Sequence, residues 1–149
     1  MEMEKIYEIQ RIKQVIQEFD GGEEHVIRTP QDAANIASQF IGEDDREVFF
    51  VMCLNMKNRV VAVHRCHVGS LDASIVHARE VFKSAILNNS ASIICSHQHP
   101  SQITLPSSAD VEITKRLHEA GEIIGINVLD HIIVNANAEY TSLKEEGYL

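Results

Sequence analysis

The chain has 149 residues, of which 13 are Lys or Arg and 22 are Asp or Glu, giving a net charge of −9 with 44% hydrophobic residues. That length suits one domain whose core needs neither disulfide nor metal to hold it, so a metal here would serve chemistry rather than folding. The charge balance and the lack of a basic run argue against nucleic acid as the main partner, leaving only a local basic patch open, and no apolar run reaches membrane-spanning length.

The N-terminus, MEMEKIYEIQ, is acidic and lacks the apolar stretch of a signal peptide. Residues 4–19 read as a helix, because Ile9, Ile12, Ile16 and Phe19 fall at a/d-like spacing and Gly21-Gly22 stops the pattern. Such a helix could pack on its own domain or zip against a second copy as a homodimer. Thr29-Pro30-Gln31-Asp32 opens the next helix, with Thr as cap, Pro in the first turn and an acid beside it. It should run to Ile41. Glu47 to Leu54 is a nearly continuous apolar strand, the kind buried on both faces. A turn over 55–58 and a strand over Arg59 to Cys66 complete a hairpin. A loop, a helix over His77 to Leu87 and a buried-type strand over Ala91 to His97 follow. A helix from Ser108 to Ala120 should end at Gly121. Asn127 to Val134 is a strand, and the tail could add a short one. Hairpin, helix, strand, helix, strand implies a three-layer α/β domain with a mixed sheet flanked by helices. Residues 1–27 read as a helix and linker, and 28–149 as the domain.

Chemistry concentrates in SIICSHQHPSQITLPSSAD, residues 92–110. Alternate strand residues share a face, so His97 and His99 can reach one ion. Pro100 cannot continue a central ladder, which puts the pair at the strand's end, where α/β sheets gather functional groups. If Pro106-Ser107 opens a helix, Asp110 lies in its first turn and can swing over the strand end. Two imidazole nitrogens and a carboxylate suit zinc, and three protein ligands leave a fourth position open for water. Ser107-x-x-Asp110 equally reads as a capping box that needs no metal. Glu47 reads first as a solvated edge residue of the run EDDRE, and second as a carboxylate facing a pocket, where it could serve as a base.

His97-Gln98-His99-Pro100 followed by Ser107-x-x-Asp110 resembles the JAMM (MPN+) metalloprotease motif, with its upstream glutamate on a strand. The closer resemblance is to the RadC-like branch. It is carried by Arg46-Glu47-Val48-Phe49, Gly69-Ser70-Leu71, Ala78-Arg79-Glu80-Val81-Phe82-Lys83, Ile113-Thr114-Lys115-Arg116-Leu117, Val128-Leu129-Asp130-His131-Ile132-Ile133-Val134 and Ser142-Leu143-Lys144-Glu145-Glu146-Gly147. It covers residues 28 to 149. The resemblance implies a cytidine-deaminase-like fold and one zinc per chain held by His97, His99 and Asp110. It assigns Glu47 as general base and Ser107 as donor to a developing oxyanion. It implies a hydrolase acting on a peptide or isopeptide bond of a protein or peptide substrate, in the cytoplasmic setting that the N-terminus and the cysteines suggest. The alternative is a scaffold or interaction module, bound to a protein or DNA partner, without turnover. A scaffold has no need of all five residues.

The chain departs from the family pattern HNHPSG at Gln98, which should project away from the metal face, and at Gln102, where a glycine is usual. Ala78 replaces a proline at a helix start, a mild change. The helix-hairpin-helix module that often precedes this domain in RadC proteins does not occur in these residues, which further weakens a DNA role. His131 reads as a satisfied core histidine, with support of the site from behind as the alternative. His64 and His67 lack an acid at ligand spacing for a second site. His25, His77 and His118 read as surface or helix residues. Cys53, Cys66 and Cys95 form no CxxC pair and fit a reducing compartment. Cys95 lies inside a buried strand, against a role as nucleophile. A zinc deaminase would need H-x-E and P-C-x-x-C, and neither occurs.

Overall fold

The computed structural model describes residues 3–10, 13–15, 25–72 and 74–149. In chain order the elements are α1 (Pro30–Ile41), β1 (Val48–Leu54), β2 (Val60–Val68), α2 (Ala78–Val81), α3 (Lys83–Leu87), β3 (Ser92–Gln98), α4 (Ser108–Ile124), β4 (Asn127–Val134) and β5 (Tyr140–Ser142). The strands form one sheet in the order β2-β1-β3-β4-β5. β3 and β4 are parallel, and the other neighbours are antiparallel.

Every residue of β1 and of β3 is buried, because these central strands are covered on both faces. Period-two alternation divides their side chains between two cores. Phe50, Met52, Leu54 and Ile94 pack with Ala33, Ala34, Ile36 and Ala37 of α1. Phe49, Val51, Cys53, Ile93 and Cys95 pack beneath Val81, Phe82 and Ala85 and beneath Ile113 and Leu117 of α4. Helix, sheet and helices make the three layers expected. The Thr29 cap is also as expected, with Thr29 and Asp32 closing a reciprocal capping box.

Three local expectations change. The helix over 4–19 is not formed by its described part: residues 3–10 and 13–15 are in neither helix nor strand. Ile6 and Ile9 there are 85% and 83% exposed, so the apolar face that would stabilise a helix is left unpacked. Ile12, Ile16 and Phe19 lie outside the described residues. The helix of 77–87 is interrupted at Phe82, whose ring is buried in the second core. α4 runs past Gly121 to Ile124, and Gly125, with φ +86°, supplies the left-handed cap.

Gly121 is needed for a different reason. A Cβ there would stand 2.5 Å from the Ile126 carbonyl oxygen and 3.4 Å from the Phe82 and Val128 side chains. The helix approaches β4 too closely for a side chain at this point. Gly121→Ala should therefore destabilise the fold by about 1–3 kcal/mol despite alanine's better helix propensity, read as a lower urea midpoint. An unchanged or raised midpoint would contradict the close approach.

Candidate functional site

The open end of β3 brings three segments together. His97 is the next-to-last residue of the strand, His99 follows its end, and Asp110 stands in the first turn of α4. The His97 Nε2 lies 3.2 Å from His99 Nε2 and 3.1 Å from Asp110 Oδ1. The His99 Nε2 lies 3.2 Å from Asp110 Oδ2. Among the described residues this is the one cluster of three donors that could hold a metal ion. His64 and His67 join no such group.

Local bonds aim each donor. His99 Nδ1 lies 2.7 Å from the Ile103 carbonyl, which can only accept, so Nδ1 carries a proton and Nε2 is the atom turned to His97 and Asp110. Asp110 closes the capping box of α4: Ser107 N donates to its Oδ2 at 2.8 Å, and Asp110 N donates to Ser107 Oγ at 3.1 Å. Capping and donor convergence are thus one arrangement rather than rival readings. Ser107 Oγ is an acceptor in that cap, which leaves its own hydroxyl proton for another partner. Burial alone would raise the Asp110 carboxyl, but its hydrogen bonds to His97 and His99 outweigh burial and hold it well below the carboxylate range. The bond to Asp110 in turn raises the His99 imidazole, partly offset by its burial, with Ile103 and the charge of Glu47 adding to the rise.

Glu47 stands just before β1 and is half-buried, not a fully solvated edge residue. The loop leaving β2 grips it: Leu71 N donates to its carboxylate at 2.7 Å, and Gly69 N donates to its carbonyl at 2.7 Å. Gly69 has φ +126°, a conformation that favours glycine.

Gln98 does project away from the imidazole pair, as period two requires. The sequence did not show what it does there. Val48 N donates to its Oε1 at 2.9 Å, and its Nε2 donates to the Arg46 and Asp44 carbonyls. A fully buried carboxamide therefore holds the chain on both sides of Glu47. Its position between two histidines at a strand end was the available signal. Gln102, where the family pattern has glycine, keeps φ at +67°. Its side chain bonds Gly42 O at 3.2 Å and Ala136 N at 2.7 Å, tying the loop after β3 to two neighbouring turns.

His131 is 1% exposed and lies against His97, with its Nε2 2.7 Å from His97 Nδ1. Cys95 is fully buried, and burial pushes its thiol far above the usual range, so it is no nucleophile.

The RadC-like JAB domain family matches residues 27–148 of this chain. The chain belongs to that family. A UPF0758 protein of Desulforudis audaxviator is 51% identical over 121 residues, which is 81% of this chain and 52% of that protein. The UPF0758 protein YsxA of Bacillus subtilis is 47% identical over 128 residues, 85% of this chain and 55% of YsxA. This RadC-like JAB domain therefore spans about half the length of the curated relatives it matches.

Gln98→Ala should cost the RadC-like JAB domain about 1–3 kcal/mol, because it strands a buried N–H and a carbonyl beside Glu47. Urea unfolding measures this, and a loss below a few tenths of a kcal/mol would show that the clamp is not needed.

Proposed function

We propose that the chain is a zinc-dependent hydrolase of JAMM type that cleaves a peptide or isopeptide bond in a protein or peptide substrate. One observation carries the reading: the mutual spacing of the three donors. Ligand atoms held about 2.0–2.1 Å from a tetrahedral zinc lie about 3.3 Å apart; here the two Nε2 atoms are 3.2 Å apart and each lies 3.1–3.2 Å from its own oxygen of the Asp110 carboxylate. His97, His99 and Asp110 are the residues that would hold the ion. Zinc bound there would supply a Lewis acid that polarises a carbonyl and acidifies a water.

The chain's own groups do the rest. Glu47 is the general base: its carboxylate, held by the Leu71 amide, takes a proton from the attacking water and returns it to the leaving amine. Ser107 donates its hydroxyl proton to the oxyanion that develops on the attacked carbonyl. Residues 28–149 make the catalytic domain, and residues 1–27 precede it.

The test is cleavage of a fluorescence-quenched peptide library and of isopeptide-linked conjugates by zinc-loaded protein. Glu47→Ala should keep its zinc and lose about 10²- to 10⁴-fold in rate, the range for a general base. Wild-type rates in that variant would remove Glu47 from the mechanism. Zinc-loaded wild type that cleaves nothing would favour the interaction module instead.

A further inference from the structure

We infer that residues 103–105 are the docking edge for an extended segment of the substrate, and that Ile103 and Leu105 select a large apolar side chain beside the attacked bond. The inference rests on the hydrolase reading for the identity of the occupant, and it narrows that reading to a substrate class.

The loop that joins the two halves of the donor cluster has a definite shape. Residues 102–107 are in neither helix, turn nor bend. Their exposure alternates: Ile103, Leu105 and Ser107 face outward, while Gln102, Thr104 and Pro106 are half-buried. That period of two marks an extended chain. The inward side is held. Gln102 bonds Gly42 O and Ala136 N through its side chain, and its carbonyl accepts from Asn135 Nδ2 at 3.2 Å. Thr141 Oγ1 donates to Thr104 Oγ1 at 3.3 Å, and the Ile103 carbonyl is tied to His99. The outward side is open. Ile103 is 57% exposed and Leu105 73%. The main-chain N–H and C=O groups of Thr104 and Leu105 have no hydrogen-bond partner among the described residues.

Single exposed apolar side chains are ordinary on a protein surface. Position sets this pair apart. The bonds on the inward side keep both side chains from folding onto the core. In the chain they lie between His99 and Asp110, on the outward face that they share with Ser107, which in the proposed reaction touches the attacked carbonyl. Two residues of extended chain span about 7 Å, so Leu105 stands within about two residues of the attacked bond and Ile103 about two further along. A peptide laid along this edge finds free main-chain groups to pair with, and its alternate side chains meet Leu105 and Ile103. Pro106 has no N–H and ends the ladder before α4. The substrate class is therefore an extended, locally unfolded segment with a large aliphatic or aromatic side chain within two residues of the bond.

The experiment is cleavage, by the zinc-loaded full-length chain, of quenched decapeptides in which each position is varied in turn. A large apolar residue at one position within two residues of the cleaved bond should raise kcat/KM about 10- to 100-fold over serine, the worth of burying one such side chain. Leu105→Ser should lower that ratio about 10-fold, and Ile103→Ser should flatten the preference two residues further along. Cleavage without an apolar preference, or a preference that both variants keep, would overturn the inference and leave the hydrolase reading standing. If no peptide is cleaved, binding decides. An alanine- and threonine-based decapeptide with a central leucine, and its serine counterpart, are then titrated into ¹⁵N-labelled zinc-loaded chain. Shifts of the Thr104 and Leu105 amide signals with the leucine peptide alone would uphold the docking edge while the hydrolase reading fails. No such shift would overturn the inference.

Discussion

The carboxylate of Asp110 is almost wholly buried, and a buried charge must be matched or it is lost to protonation. Among its bonded partners are the amide of Ser107 and two imidazoles. The first end of that arrangement starts a seventeen-residue helix. The second end gathers two nitrogens from the end of β3 around the same carboxylate. One side chain thus fixes where α4 begins and where the donors converge. It also gives the site a negative member to which a cation is the natural complement.

Around that carboxylate, each reactive atom is aimed by a bond on its far side. The Ile103 carbonyl sets His99, His131 Nε2 lies 2.7 Å from His97 Nδ1, and the Leu71 amide holds Glu47. Gln98 performs the same service for the backbone on either side of Glu47. These partners come from β3, β4 and two loops, so the site depends on the packing of the central sheet as well as on α4. Side chains held this way lose little freedom on binding an ion or a substrate, which is the purpose of preorganisation.

Much of this was legible in the sequence because it follows from short-range periodicity. His97 and His99 share a face by strand geometry, and Ser107-x-x-Asp110 announces a capped helix whose first turn leans back over the strand. The alternation of Phe49 with Phe50 and Val51 with Met52 anticipated a sheet covered on both sides. What escaped depended on distant contacts. Val128 pairs with Ile93 and Asp130 with Ile94, so Leu129 is a bulge that turns His131 to the face of Cys95 and His97, and it has no signature in its own residues. Gly121 looked like a helix end because the closeness of Ile126 is a tertiary fact. The apolar spacing of residues 4–19 promised a helix, yet Ile6 and Ile9 meet no partner surface that would stabilise one. Gln98 could be placed on the far face, but not matched to the amide of Val48, fifty residues away.

The most direct measurement is metal content by elemental analysis of protein purified without chelators, beside His97→Ala. The account predicts one zinc per wild-type chain and its loss in the variant, with the fold retained by circular dichroism. Wild-type protein that holds no zinc, even after incubation with the metal and a wash, would contradict it.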